Sequence, residues 1–397
     1  MSVYESVKNT VAADLLEKIV SSGIEEYGLY RAPVAGRIEE VRSEYDEVSG
    51  VVCGLNNADT GRSLLGLLKD EAKAGQILDG IAIAAAAFGT DKKVLQLPEE
   101  ETALGESLTA ACEERGIMVD YGIVNVRKNE GCLLLHLLTA KKIAELFGGG
   151  VKESAYVCVN GGELQEVEPA KKLSELAPVE GSKAVFLNHR YMKPEDVLEL
   201  TAGDLKDPEV RILGEKNCIV QDCLKVLTAN RKVSCGRCVF CREGLIQLQY
   251  MQKETTEARG KTDFFDLNEE IGEAVGMETL CSVGHQAAEP ALSAMSLFKD
   301  EFTEHIKKNN CPAGECTSFE HIYIDPKRCT GCGDCMDVCD ADCIEGKPKF
   351  IHMIDEFECT KCGKCIEACE DEAIIKTGGK LPKLPDRLIK VGKWKKH

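Results

Sequence analysis

The feature that most constrains this chain is a cysteine spacing that occurs twice. Each run has the form Cys-x2-Cys-x2-Cys-x3-Cys, and the second run begins 30 positions after the first. The two runs are Cys329, Cys332, Cys335, Cys339 and Cys359, Cys362, Cys365, Cys369. Thiolates are soft ligands that suit iron–sulfur clusters, and the short spacings let three thiolates on one loop reach three irons of a cubane. Zinc is the alternative, but zinc sites seldom use cysteines in this doubled pattern, so the spacing predicts two [4Fe–4S] clusters.

The fourth cysteine of each run is expected to start a helix that leads away from its loop, and so to ligate the cluster of the other run. Site A then consists of Cys329, Cys332, Cys335 and Cys369. Site B consists of Cys359, Cys362, Cys365 and Cys339. This segment closely resembles the bacterial two-cluster ferredoxins, which implies a ferredoxin domain over residues 311–380.

The segment departs from those ferredoxins directly after each fourth cysteine. Asp340 and Glu370 occupy the positions where the ferredoxins usually have proline. A carboxylate so near a cluster disfavours an added electron, so we expect both residues to lower the reduction potentials. Cys343 has no place in the ligand spacing and is expected to be a small buried residue.

A third group of cysteines lies upstream of the repeat. Cys235, Cys238 and Cys241 have the same short spacing, and Cys281 follows 40 positions after the last of them. These four thiols, called site C below, predict a third [4Fe–4S] cluster. The helical stretch that follows Cys241 can direct amide dipoles toward an anionic cluster.

The residues around site C carry a second resemblance. The strings SCGRCVFCREG and CSVGHQAAEPALSAMSLFKDEFTEHI resemble the cluster domain of the flavin- and NADH-binding subunit of respiratory complex I. The same subunit type occurs in electron-bifurcating hydrogenases and formate dehydrogenases. The likeness is strong from residue 206 to 377 and weak before it, and it implies a multi-subunit oxidoreductase.

The resemblance also implies a multidomain fold of the α/β plus α+β class. Its expected order is a Rossmann-like, flavin-domain-like α/β domain, a small β-grasp-like domain of the soluble-ligand-binding type, a helical [4Fe–4S] domain, the ferredoxin domain and a basic tail. The corresponding boundaries are 1–150, 151–205, 206–310, 311–380 and 381–397. The tail surrounds Trp394 with lysines and is expected to be either a solvated end or a docking segment for an acidic partner.

The hydrophobic pattern before residue 150 alternates between strand-like and helix-like runs, which indicates a parallel sheet. The expected strands are Val51–Cys53, Lys93–Leu97 and Ile123–Val126. The expected helices are Ala72–Phe88, Ala103–Arg115 and Leu133–Phe147. A turn is expected at Asn160-Gly161-Gly162, within the β-rich unit that follows.

The flavin-binding motifs implied by the resemblance are eroded. Only Gly28 and Gly36 remain where a glycine-rich phosphate loop is expected, and Pro33 removes an amide donor there. We therefore expect the first domain to be a structural platform without FMN. The alternatives are that Asn56, Asn57 and Asp59 still hold FMN, or that NADH oxidation is retained.

A zinc site is predicted between the helical and ferredoxin segments. Cys311 and Cys316 form a Cys-x4-Cys turn with His305 just upstream, which supplies three ligands for a tetrahedral metal. The resemblance to the bifurcating subunits implies Cys218 as the fourth ligand, with Cys223 a weaker substitute. The alternative is two free thiols and a surface histidine.

Charge and hydropathy narrow the functional classes. The net charge of −18 argues against a nucleic-acid partner, because phosphate backbones need a basic surface. The longest apolar run, Gly80–Gly89, is too short to span a bilayer and is expected to be a buried helix. Clustered cysteines without a signal-peptide pattern favour a reducing, cytoplasmic compartment.

These features predict an electron-transfer subunit that is not catalytic on its own and relays electrons through three clusters. The resemblance implies as partners a thioredoxin-like [2Fe–2S] subunit, a catalytic subunit and soluble ferredoxin. The first alternative is a flavin-dependent NAD(P)H diaphorase subunit. The second is a structural scaffold whose metals hold the fold together.

Overall fold

The computed structural model describes residues 2–28, 31–55, 62–124, 128–279, 281–378 and 381–395. Two compact units divide the chain. The first unit comprises residues 1–214, 225–249 and 268–297, and the second comprises residues 215–224, 250–267 and 298–397. None of the helices in the described part of the chain is long and apolar enough to cross a membrane.

The first unit opens with a four-stranded parallel sheet between helices. The strands, in the order β3-β2-β1-β4, are β1 (Gly50–Gly54), β2 (Lys93–Leu97), β3 (Met118–Tyr121) and β4 (Cys132–His136). The helices are α1 (Val3–Val7), α2 (Ala12–Ser21), α3 (Val34–Tyr45), α4 (Glu71–Phe88), α5 (Thr102–Glu113) and α6 (Leu137–Gly148). This arrangement confirms the predicted parallel sheet.

Helix α4 confirms that the longest apolar run is a buried helix. Asp70 caps its first turn by accepting from the backbone N–H groups of Ala72 and Lys73. Gly89 ends it in the left-handed conformation, at φ 66°. Most of the apolar residues between these caps are buried, and they belong to the core around the sheet.

Two predicted elements are wrong. The predicted helix from Leu133 begins as strand β4, and the helix itself starts only at Leu137. A strand buried on both faces is an unbroken apolar run, which periodicity does not distinguish from a buried helix. The third strand lies at Met118–Tyr121, where MVDY pairs with β2, and not at Ile123 and Val124; Asn125 and Val126 of the predicted strand lie outside the described residues.

A five-stranded mixed sheet follows in the same unit. Its strands, in the order β6-β5-β9-β7-β8, are β5 (Ala155–Val159), β6 (Gln165–Val167), β7 (Ala184–Leu187), β8 (Arg190–Met192) and β9 (Glu209–Leu213), with short helices α7 (Leu173–Leu176) and α8 (Pro194–Val197). The predicted turn is confirmed at Asn160 and Gly161, with φ 51° and 68°.

Helices dominate the next stretch of chain. They are α9 (Ile219–Val233), α10 (Val239–Thr256), α11 (Phe264–Met277), α12 (Ser282–Ala287), α13 (Glu289–Leu297) and α14 (Lys299–Lys308). Helix α10 begins between the second and third cysteines of site C, so Cys241 lies in its first turn.

The region around the cysteine repeat contains two small antiparallel sheets. Its elements are β10 (Glu320–Ile324), α15 (Asp334–Asp337), β11 (Ile344–Glu345), β12 (Met353–Ile354), α16 (Lys364–Glu367) and β13 (Ile374–Gly378). Strand β10 pairs with β13, and β11 pairs with β12. The tail packs here too: Ile351 donates its N–H to Ile389, and Trp394 contacts the apolar core.

Helices α4 and α6 pack closely at a glycine, which gives a stability prediction. A Cβ on Gly80 would lie 1.8 Å from the carbonyl oxygen of Ala140, so Gly80→Ala must push the helices apart. We expect this change to lower the free energy of unfolding by about 1–3 kcal/mol or more. Chemical denaturation of the variant measures the loss.

Gly75 provides the matched control on the same helix, since a Cβ there meets no atom within 4 Å. We expect Gly75→Ala to stabilise the protein by about 0.5–1 kcal/mol, because alanine has the higher helix propensity. Equal losses for the two variants would contradict the close contact between the helices.

Candidate metal centres

The four thiols of each predicted ferredoxin site meet in one cavity. The first cavity is lined by Cys329, Cys332, Cys335 and Cys369. The second is lined by Cys359, Cys362, Cys365 and Cys339. In each cavity the fourth thiol comes from the other run, as the sequence predicts. The short helices α15 and α16, however, contain the third cysteine of each run, and the fourth follows the helix rather than starting it.

Backbone hydrogen bonds fold the two halves of the repeat in the same way. Asp325 donates its N–H to the carbonyl of Ala373, and Asp355, 30 positions later, donates to Cys343. Ala373 in turn donates its N–H to the Sγ of Cys369 at 3.3 Å. Such bonds stabilise a thiolate, which is the form that ligates iron.

Burial, and then the proximity of the other thiols, raises the pKa of a cysteine in each cavity. Burial, followed by the neighbouring Cys329 and Cys332, raises the pKa of Cys335 to about 12. At site B, burial raises the pKa of Cys365, and the thiols that add to this rise include Cys359 and Cys339. Buried thiols that disfavour each other's ionisation are stabilised as thiolates when they share a cation.

Two residues beside these cavities were not predicted as part of the sites. His352 is buried with its Nδ1 3.8 Å from the Sγ of Cys329, and burial lowers its pKa. Cys343 is buried, as expected, but it also lines site B with its Sγ 3.4 Å from that of Cys339. Comparing the two repeats position by position would have singled out both, because Ile322 and Ala373 stand at the equivalent positions.

An ion pair offsets one of the expected carboxylate effects. The Nζ of Lys364 lies 2.5 Å from Asp340, and this hydrogen bond raises the pKa of Lys364. The predicted lowering of the potential by Asp340 is therefore partly compensated at site B.

The described part of the chain also brings the site C thiols together. Burial is the main cause that raises the pKa of Cys241, and Cys281, Cys238 and Cys235 each add to the rise. The Oγ of Ser234 lies 3.4 Å from the Cys241 sulfur. Because α10 begins at Val239, its first N–H groups lie next to the thiols, where they favour an anionic group.

The four predicted zinc ligands form one buried cluster in the second unit. The ligand atoms of Cys218, His305, Cys311 and Cys316 all lie within 4.8 Å of one another. The Cys218 sulfur is 3.3 Å from the Nε2 of His305 and 3.6 Å from the Cys316 sulfur. Ligands of a tetrahedral zinc with Zn–S bonds of about 2.3 Å are separated by about 3.5–3.8 Å, so the spacing fits.

The surroundings prepare this cluster to bind a cation. The Nδ1 of His305 lies 2.8 Å from the carbonyl oxygen of Glu301, a partner that leaves Nε2 as the ligand atom. Hydrogen bonds from Cys218 and Cys316 hold the pKa of Cys311 well below its usual range, so one thiolate is already favoured. Cys223, the predicted substitute, is buried on helix α9, which begins just after Cys218, but it does not belong to the group.

The first unit contains a large cavity at the carboxyl ends of its parallel strands. It has a volume of about 1210 Å³ and is lined by Leu55, Pro98 and Gly122, which follow β1, β2 and β3. Ligands of open parallel sheets bind at such edges. Gln96 is buried there, and its Nε2 has no hydrogen-bond partner among the described residues. Asn56, Asn57 and Asp59, which would hold FMN in the alternative to a flavin-free platform, lie outside the described residues.

Two family matches cover the cysteine-rich regions. Residues 223–305 match the family described as the NADH-ubiquinone oxidoreductase-F iron-sulfur binding region, which includes site C. Residues 321–370 match the 4Fe-4S dicluster domain, which includes both runs of the repeat.

Curated relatives agree with these matches. The chain is 34% identical over 141 residues to the NADP-reducing hydrogenase subunit HndC of Solidesulfovibrio fructosivorans, which is 36% of this chain and 29% of that one. It is 25% identical over 148 residues to the F subunit of the NADH-quinone oxidoreductase of Streptomyces coelicolor, which is 37% of this chain and 33% of that one. The matched part thus spans a third or less of these relatives.

The fold is similar to a solved structure of the NAD+-reducing [NiFe]-hydrogenase in the air-oxidized state. The TM-score is 0.64 at 16% identity, over 77% of this chain and 65% of that one. The chain therefore carries two [4Fe–4S]-binding domains, and it is an iron–sulfur relative of the F subunits of NADH-quinone oxidoreductases and of a hydrogenase subunit.

Proposed function

We propose that the chain is an electron-transfer subunit that carries three [4Fe–4S] clusters, at sites A, B and C, in a larger cytoplasmic oxidoreductase of anaerobic metabolism. The observation that carries the proposal is the exchange of the fourth thiol between the two cysteine runs. Zinc needs no such exchange, because one run of four cysteines already provides a tetrahedral set. Two adjacent cubanes explain both the spacing and the shared lining.

The exposure of the sites fits electron exchange with other proteins. Cys332 of site A and Cys362 of site B are exposed, so one edge of each cluster reaches the surface of the unit. Phe357, two positions before Cys359, is 99% exposed, and Phe240, in the first turn of helix α10 next to the site C thiols, is 48% exposed. Exposed apolar residues beside redox sites favour contact with partner subunits.

The partners are proposed from the relatives. The names of the relatives describe a hydrogenase subunit and a subunit of NADH-quinone oxidoreductase. By analogy, this chain exchanges electrons with a catalytic subunit, with a thioredoxin-like [2Fe–2S] subunit and with soluble ferredoxin. In this assignment the first α/β domain is a platform, and the chain does not oxidise NADH.

A flavin-dependent diaphorase is the second candidate, and the large cavity of the first unit favours it. The cavity lies where α/β proteins bind nucleotides, and the Nε2 of Gln96 is a buried donor suited to a polar ligand. If FMN were bound there, it would supply two-electron chemistry, and Gln96 would help to orient it.

We also propose that Cys218, His305, Cys311 and Cys316 hold a structural zinc. Four protein ligands close the coordination sphere, which is typical of structural rather than catalytic zinc. The group is buried and joins residues that are 98 positions apart in sequence, so the metal would stabilise the fold of the second unit.

Metal and flavin analysis tests the primary assignment. We expect the anaerobically purified chain to contain about twelve irons and to show three EPR signals after dithionite reduction, because each cubane has four irons. Acid extraction should release no FMN. Release of FMN together with bleaching by NADH would replace the relay with the diaphorase, and about four irons would contradict the three-cluster assignment.

Serine substitutions test the crossed ligation. We expect Cys369→Ser to abolish or alter the same EPR signal as Cys335→Ser, because both thiols line site A. Cys339→Ser should instead affect the signal that Cys365→Ser affects. If Cys369→Ser and Cys365→Ser affect the same signal, each run ligates its own cluster and the crossed assignment is wrong.

Substitution of one proposed ligand tests the zinc site. We expect Cys311→Ser to lose one zinc per chain with the iron content unchanged, and to lower the unfolding temperature. The control is Cys223→Ser, a buried cysteine outside the group, which should keep its zinc. Equal zinc in the two variants would refute the assignment.

A further inference from the structure

The two ferredoxin cavities are lined by equivalent positions of the 30-residue repeat. Three apolar or hydroxyl positions are the same in both. In site A they are Ile324, Thr330 and Ile374, and in site B they are Ile354, Thr360 and Ile344. The strand pairing follows the same exchange, with Ile324 opposite Ile374 and Ile354 opposite Ile344. The fold therefore offers the two clusters nearly the same backbone.

Three equivalent positions differ between the cavities. Site A has a histidine, an aspartate and an alanine where site B has an isoleucine, an alanine and a cysteine. The pairs, with site A first, are His352 and Ile322, Asp371 and Ala341, and Ala373 and Cys343. In addition Lys364 lines site B, and its equivalent in the other half is Asp334. Side chains, and not the backbone, distinguish the two sites.

The ionised side chains at the two cavities have opposite sign. Asp371 lines site A and is held there by the hydroxyl of Thr330, which donates to its Oδ2 at 2.6 Å. Lys364 lines site B, and Asp340, with which it forms an ion pair, does not line that cavity. A carboxylate disfavours an added electron and an ammonium group favours it. Solvent weakens both effects because both side chains are exposed. Both signs nevertheless favour a higher reduction potential at site B than at site A.

Hydrogen-bond donors to the ligand sulfurs do not reverse this order of the two reduction potentials. At site A the His352 Nδ1 lies 3.8 Å from the Cys329 sulfur. At site B the Cys343 sulfur lies 3.4 Å from that of Cys339. Each contact can stabilise a more negative cluster, and the shorter one is at site B. The effects of the two contacts on the reduction potentials largely offset each other. The charged side chains therefore decide which site has the higher potential.

We infer that site B has a higher reduction potential than site A, so that electrons move from A to B within the ferredoxin region. The inference rests on the proposed function, because both sites must carry a [4Fe–4S] cluster. In the step, one electron leaves the reduced cluster of site A and enters the oxidised cluster of site B, and no bond forms or breaks. A low-potential one-electron donor re-reduces A, and a one-electron acceptor of higher potential re-oxidises B.

Exchanging the charges between the halves tests this order in the full chain. Lys364→Asp gives site B the charge that its equivalent Asp334 has, and Asp371→Ala gives site A the residue of site B. In an EPR-monitored redox titration we expect Lys364→Asp to lower only the higher of the two ferredoxin potentials. The expected shift in potential is about 59 mV for a one-electron couple, which corresponds to about a tenfold change in how the electron is distributed between the two sites. Asp371→Ala should raise only the lower potential.

Lys376→Asp is the control for the charge change, because Lys376 lies on β13 and lines neither cavity. Lys376→Asp should leave both ferredoxin potentials nearly unchanged. The reduction step of site C is identified in the titration as the one that neither Lys364→Asp nor Asp371→Ala shifts. The inference is overturned if Lys364→Asp shifts the lower potential, or if the two ferredoxin steps coincide in the unaltered chain. Missing iron or missing EPR signals in the unaltered chain would instead contradict the proposed function.

Discussion

Each half of the cysteine repeat is completed by the other half, and the arrangement of the ferredoxin region depends on this exchange. The backbone N–H of Asp325 donates to Ala373, and the N–H of Asp355 donates to Cys343. These two bonds bring the strand after each fourth cysteine against the start of the opposite run. The fourth thiol then faces the other cavity, so neither half has a full ligand set by itself.

Because sites A and B have the same backbone pattern, a difference between their reduction potentials must come from the side chains around them. A pair of clusters on a repeated scaffold has equal potentials unless side chains break the equivalence. Here Asp371, Lys364, His352 and Cys343 break it, and all four lie next to ligand cysteines in space or in sequence. In the proposed relay, the chain would keep one backbone geometry at both sites, and these few side chains would set the direction of electron transfer.

The cysteine spacing predicted three thiols of each proposed cluster because those spacings are short and local, whereas the fourth thiol of each set lies farther along the chain. The proposed zinc ligands include one residue that sequence spacing alone could not identify. Cys311, Cys316 and His305 lie close in sequence, and their pattern alone indicated a metal. Cys218 lies 98 positions before Cys316, and only the resemblance to related subunits pointed to it. The structure then brought its sulfur to within 3.3 Å of His305.

Helix and strand assignments failed where the sequence was apolar without a clear period, as at Leu133. The sequence by itself determined which thiols are spaced to bind iron and which thiol of each run belongs with the other run. The tertiary structure decided what surrounds those thiols. His352 and Cys343 reach the cysteine cavities through strand pairing between distant segments, and spacing along the chain carries no information about contacts of that kind.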